Sequence, residues 1–323
     1  MTTNIERLVS REEIFEGIDL WNRQHPDFRI SDALVEQNLF APLPDIQVRC
    51  YGGYDEHELV SFAVLKQLDS PVREFEDTDT AWLSLFAFKP DSERARTLGK
   101  DLLTTVVDKH VSADHSTLQF GCSPQNFVSG VPSTFPEPYR NVLRDVGFES
   151  RQRVYDLSRA ITTFDDPATA ESVGRELETL RVERATGSEA DLLSFLEDQF
   201  PGRWYYEARN ICRIPGGAAD YWLLRLDGDV VGFARSNRWD GSYRGPNVNW
   251  GWRLSNEYCG VGPLGVHEEQ QGRGWGLFMI TKIVQRLKQD GYDTMVIDWT
   301  DIPGYYEKLG FERWISYERM ARK

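Results

Sequence analysis

The sequence predicts a mixed α/β fold written twice along the chain. Three observations predict it. A short strand followed by an acidic, apolar helix occurs at residues 5–7 and 11–21, and again at 182–184 and 188–199. Each half closes on the same tripeptide, Gly147-Phe148-Glu149 and Gly310-Phe311-Glu312, and each leads into a final strand. The length of 323 residues suits two domains at roughly 150 residues each. The predicted division is a first unit over 1–161, a polar linker over 162–178 and a second unit over 179–323.

The elements of the second unit follow in order. Residues 220–226 and 230–236 flank Asp227-Gly228, a two-residue hairpin turn signal. Residues 241–249 hold Gly, Ser, Pro and Asn and predict a loop. Residues 258–266 read as a glycine-rich strand. Over 276–289, Leu277, Ile280, Ile283, Val284 and Leu287 recur at helical spacing, and Gly291 closes that helix. A strand over 292–299, a short helix over 305–309 and a last strand over 312–320 complete the unit. A strand–helix–strand run of this length predicts a parallel crossover inside a mixed sheet flanked by helices.

Composition narrows the function. The apolar fraction of 40% and aromatic fraction of 12% suffice for packed cores. With 37 Lys and Arg against 51 Asp and Glu, the net charge is −14. That argues against nucleic-acid and anionic-membrane partners and tilts towards a cationic small molecule. Cys50, Cys122, Cys212 and Cys259 form no CxxC pair, and the five histidines form no HExxH, so no metal site is predicted. The start of the sequence shows no apolar signal segment, and no apolar run nears the ~18 residues of a membrane span. A cytoplasmic monomer is the expectation.

The chemistry concentrates in one segment. After the strand ending Leu264-Gly265-Val266 comes Gln271-Gly272-Arg273-Gly274-Trp275-Gly276, which opens the helix. Its glycines permit a tight turn and close backbone approach. Helix N-terminal N–H groups and the helix dipole favour a pyrophosphate, and Arg273 adds a charged donor. The spacing fits neither GxGxxG nor GxxxxGK[ST]; it fits Gln-x-x-Gly-x-Gly. Downstream stands Tyr305-Tyr306-Glu307-Lys308-Leu309-Gly310-Phe311.

Together these two motifs resemble the GNAT superfamily of N-acetyltransferases over residues 180–320, and the tandem arrangement is similar to that of mycothiol synthases. The resemblance implies an acetyl-CoA-dependent acetyltransferase. Leu264, Gly265 and Val266 would pair with the pantetheine arm, and Gln271, Gly272, Arg273, Gly274, Trp275 and Gly276 would hold the diphosphate. Tyr306 would protonate the departing thiolate. Two positions depart from the family pattern: Trp299 stands where Asn is frequent, and Glu268 where Pro is frequent.

For the general base, Glu257 is the first candidate, with Asp298, Asp301 and Glu207 as alternatives. The acceptor wall is expected from Trp204, Tyr205, Tyr206 and Glu207, aromatic and acidic residues suited to a small amine. The first unit keeps the outline only. Arg96 and Gly99 match the phosphate loop, but its last glycine is Asp101, and Leu143 replaces the tyrosine. The tail over 121–140 reads as a long loop. The expected function is acetyl transfer from acetyl-CoA to a primary amine of a small molecule by direct attack. Acetylation of a cysteinyl amino sugar and a non-catalytic CoA-binding scaffold are the alternatives.

Overall fold

The computed structural model describes residues 4–69, 72, 79–110 and 117–323. The chain forms two compact units. The first takes in the described residues up to Val154 together with Ile315–Lys323; the second is Tyr155–Trp314. The mixed α/β class and its helix-flanked sheets are as the sequence predicts. The division differs from a cut at 162–178. That stretch holds a helix, Ala168–Glu176, whose Ala170 and Val173 are buried in the second unit's core.

The first unit runs β1 (Asn4–Leu8), α1 (Arg11–Gln24), α2 (Asp32–Val35), β2 (Ile46–Asp55), β3 (Glu58–Leu68), β4 (Thr80–Phe88), α3 (Glu93–His110), β5 (Thr117–Phe120), β6 (Val131–Pro132) and α4 (Glu137–Asp145), then enters β7 (Glu149–Ala160). Strands β1 to β4 are antiparallel neighbours, and β4 pairs with β5 in parallel. Helix α1 starts at a capping box: Ser10 Oγ accepts from Glu13 N–H and the Glu13 carboxylate reaches back to Ser10 N–H. The chain's last strand, β13 (Glu312–Arg322), ends in this unit, where Ala321 pairs with Gln119.

In the second unit follow α5 (Ala168–Glu176), β8 (Arg181–Arg184), α6 (Glu189–Gln199), α7 (Arg203–Ile211), β9 (Tyr221–Leu226), β10 (Asp229–Arg238), β11 (Tyr258–Val266), α8 (Trp275–Gln289), β12 (Thr294–Thr300) and α9 (Pro303–Glu307). Its sheet runs β8-β9-β10-β11 antiparallel, then β11-β12 parallel, then β12 antiparallel to the end of β7. The turn between β9 and β10 places Asp227 and Gly228 at φ of 52° and 100°, the left-handed pair that such a hairpin requires. Helix α8 packs its apolar face, including Leu277, Ile280, Ile283, Val284 and Leu287, into this unit's core. Each fully buried aliphatic side chain there contributes about 1.5–3 kcal/mol. Among the described residues, no helix is long and apolar enough to cross a membrane.

Candidate active site

The site begins where two parallel strands part. The pairing of β11 with β12 runs from Tyr258↔Thr294 to Gly260↔Val296, and no further pair is recorded among the described residues. On its other edge β11 stays paired with β10 as far as Gly232↔Val266. Beyond Gly260 the two strands therefore open as a wedge with Leu264, Gly265 and Val266 on one wall. A bulge deepens the split. Ala234 faces Leu264 and Ser236 faces Val261, so Gly262 and Pro263 form an extra step. A proline inside an apolar strand is a bulge signal legible in the sequence. An unpaired strand edge is a template for an extended, amide-bearing chain.

At the wide end of the wedge lies the glycine turn. Gly272 and Gly274 have φ of 77° and 81°, and Gly274 is the left-handed N-cap of α8. The Gln271 side-chain amide donates to Val266 O at 3.2 Å and ties the turn to the strand. A Cβ on Gly272 would meet open space, while one on Gly276 would lie 2.3 Å from Tyr305 Oη. Gly272 is thus required by conformation and Gly276 by packing. Arg273 is exposed, and Trp275 is buried in the core, so Trp275 can offer the turn only its backbone. Free helix N–H groups, an exposed guanidinium and bare glycine surface fit a diphosphate. Glu268 and Glu269 in the preceding turn oppose it.

Asp298 and Tyr306 stand at the split itself. Asp298 on β12 is half-buried, and its Oδ1 lies 2.7 Å from the point a Cβ on Gly262 would occupy. The carboxylate therefore faces the β11 bulge, and only glycine leaves it room. Desolvation raises the Asp298 pKa to about 7, Asp156 pushes the same way, and Arg203 opposes. Burial pushes the Tyr306 phenol well above its ordinary value, with Tyr305, Asp298 and Asp301 adding to the rise. The rings of Tyr305 and Tyr306 meet edge to face at 5.0 Å. One carboxyl poised near neutrality beside one phenol that stays protonated is the pairing that acid–base chemistry uses.

The other predicted residues divide. Glu257 is exposed, takes a 3.4 Å contact from the Trp239 indole N–H, and precedes the paired stretch of β11. It thus stands at the closed end of the split, away from Asp298. Trp204 joins Phe200 and Phe233 at 5.3 and 5.6 Å, and the Phe200 ring covers Gly265. Glu207 is ion-paired to Arg203 at 2.8 Å, and the Arg203 guanidinium lies 5.2 Å from the Trp299 ring centre. Tyr205 is half-buried, 5.8 Å from the Arg209 guanidinium. Tyr206 is fully buried in the packing of α7. The expected acceptor-wall residues Trp204, Tyr205, Tyr206 and Glu207 all lie on helix α7. Cys259 is buried, its thiol pushed far up by desolvation, which leaves no thiolate nucleophile at the split.

Sequence reasoning missed Arg203, Asp156 and Asn247. Asn247 sits in a short helical turn of the loop before β11 and is 2% exposed. Its Nδ2 lies 3.5 Å from the point a Cβ on Gly262 would occupy. No local motif marks it.

The first unit carries the same frame with the split filled. Pairing of β4 with β5 runs from Thr80↔Thr117 to Leu83↔Phe120. Beyond it, residues 121–132 are all buried rather than forming an open loop. Ser84 Oγ donates to Ser123 Oγ at 3.0 Å, and the Tyr139 hydroxyl donates to Phe86 O on β4. Buried Lys66 donates to Asn38 Oδ1, Pro124 O and Gln125 O at 2.9, 3.2 and 2.9 Å. Arg96, Gly99 and Asp101, aligned with the phosphate turn by sequence, lie inside α3, and Gly99 packs on Phe88.

The acetyltransferase (GNAT) family profile matches residues 189–311. Comparison with curated proteins gave no match. Among solved structures, a fungal glucosamine N-acetyltransferase region of a multi-domain GH3 β-N-acetylglucosaminidase superposes with a TM-score of 0.85 at 18% identity. That alignment covers 99% of this chain, which spans only 38% of the fungal chain. A tandem GNAT protein from the clavulanic acid biosynthesis pathway gives 0.66 at 13% identity, covering 99% and 98% of the two chains. A GCN5-related N-acetyltransferase from Sphaerobacter thermophilus gives 0.62 at 11% identity, covering 99% and 95%. Residues 189–311 thus match the GNAT acetyltransferase family profile, and the chain as a whole has the fold of a tandem GNAT protein.

Proposed function

We propose that the second unit transfers an acetyl group from acetyl-CoA to the primary amine of a small molecule by direct attack. The observation that carries this reading is the β11–β12 split with Asp298 and Tyr306 beside it. Acetyl-CoA supplies the acetyl thioester. Leu264, Gly265 and Val266 offer the pantetheine arm a strand edge unpaired with β12, Val266 O being already held by the Gln271 amide, and residues 271–276 hold the diphosphate. Asp298 replaces Glu257 as the proposed base. It takes the proton from the substrate ammonium, so that the amine nitrogen can form its bond to the acetyl carbon. As the carbon–sulfur bond breaks, Tyr306 donates a hydrogen bond to the sulfur and supplies its proton, and the second proton of the attacking nitrogen restores the phenol as the amide forms. Trp204, Arg203, Glu207 and Trp299 form the acceptor wall.

Glucosamine is the first acceptor to try. The fungal structure is described as a glucosamine N-acetyltransferase region, and the wall here combines indole rings with a carboxylate, Glu207. Acetylation of glucosamine and a panel of amines by the wild type and by Tyr306→Phe tests the reading. The expected outcome is turnover that falls about 10–100-fold in Tyr306→Phe, with acetyl-CoA affinity unchanged. Acetyl-CoA binding with no turnover on any amine would instead mark a CoA-binding scaffold.

A further inference from the structure

The strand β12 carries a bulge of its own, facing the one in β11. Ile297 pairs with Leu157 and Thr300 with Tyr155, so Asp298 and Trp299 together stand opposite the single residue Asp156. Trp299 has φ of 30°, a left-handed conformation that a bulky aromatic seldom adopts. Its N–H, turned out of the ladder, donates to Asp156 Oδ1 at 2.8 Å. Asp156 is 2% exposed. It is thus a buried carboxyl that fastens the kink, and the kink aims the neighbouring Asp298 at Gly262.

We propose that Asp156 is a positioning residue for Asp298: it pins the bulge at Trp299 and acts on Asp298 as a second carboxyl, so that the two titrate as a coupled pair. This rests on the reading of Asp298 as the base. A cap for one N–H needs only an oxygen acceptor, which an asparagine supplies. A carboxylate placed there adds a like charge in a desolvated setting, and two such groups do not both ionise at their ordinary values. The charged and titratable groups facing Asp298 are few. Asp156 comes from β7, Arg203 and Glu207 from α7, and Tyr306 from α9. From β11 and the loop before it, Gly262 and the Asn247 amide lie on this side. Arg203 is itself ion-paired to Glu207, so its pull on Asp298 is shared.

The test needs no acceptor. The full-length protein is labelled with 13C at aspartate side-chain carboxyls, and the Asp298 signal is identified by its loss in Asp298→Asn. In the wild type, coupling predicts two inflections in the Asp298 titration curve. In Asp156→Asn, which keeps the acceptor and removes the charge, the curve is expected to become single and its midpoint to fall by about one pH unit or more. A single inflection in the wild type, or an unmoved midpoint in Asp156→Asn, would overturn the proposal and leave Asp156 a structural cap. The wild-type curve decides the matter if Asp156→Asn does not fold. Undiminished turnover of Asp298→Asn on any amine that the wild type acetylates would end the base reading alone.

Discussion

The two units present the same junction in opposite states. In each, a central strand pairs in parallel with the strand after its crossover helix for three or four residues, then parts from it. In the second unit the freed edge of β11 faces a split bordered by Asp298, Gly262 and the glycine turn. In the first, the chain's own residues 121–132 are buried beyond the parting point, and Tyr139 hydrogen-bonds Phe86 O on β4. A buried strand edge must be satisfied by something. One unit satisfies it internally; in the other we propose that a ligand does so. The shared strand–helix–strand frame therefore supplies a place for a site, and what occupies the parting decides whether there is one.

Substitutions at the two junctions should break different properties. Asp298→Asn removes the proposed base and is expected to lower kcat about 10²–10⁴-fold, with acetyl-CoA affinity and folding retained. Steady-state kinetics with calorimetric binding separates these, and an unchanged kcat contradicts the role. Lys66→Met is the counterpart in the first unit. It strips three buried carbonyl oxygens of their donor and is expected to cost about 2–5 kcal/mol of stability while acetyl-CoA binding persists. Urea unfolding followed with and without acetyl-CoA checks it. A wild-type midpoint would mean that the buried segment does not depend on that ammonium.

Acid should separate the units by sign. His25 packs against Phe135 at 3.9 Å and Tyr139 at 5.2 Å, and burial lowers its pKa from 6.5 to about 3. The unfolded chain therefore binds a proton that the folded one refuses. The first unit loses stability as pH falls from 6.5 towards 3, by several kcal/mol in all. Asp298 works in reverse. Its folded pKa of about 7 lies above the ordinary carboxyl value of 3.8, so the second unit gains stability as pH falls from 7 towards 4. Amide hydrogen exchange at pH 6.5 and 4.5, corrected for the intrinsic pH dependence of exchange, should show protection falling around residues 121–139 and rising around β11 and β12. Parallel changes in both regions contradict the assignment.

How much of this was legible in sequence follows the range of each signal. Strand β11, helix α8 and the Asp227-Gly228 turn are written in local periodicity and turn chemistry, and the structure places them within a residue or two of expectation. The glycine turn over 271–276 is local as well. Asp298 was visible only as one carboxylate among several, because what distinguishes it is desolvation and a partner 142 positions earlier, Asp156. Glu257 ranked first by its nearness to the central strand in sequence, yet three paired residues of β11 separate it from the split. Residues 121–132 looked like a loop because Gly, Ser, Pro and Asn dominate them. Their polar groups are satisfied instead by side chains distant in sequence, Lys66 and Ser84, which no local pattern announces. The ownership of Tyr155–Ala160 and Ile315–Lys323 is likewise a matter of strand pairing, invisible to a linear cut.

The central claim is that one junction is open and the other closed. Calorimetric titration of the intact protein with acetyl-CoA tests it most directly. The account predicts one site per chain, retained in Lys66→Met. Two sites per chain would mean that residues 121–132 yield to the ligand, and no binding would mean that the β11–β12 split is not a CoA site.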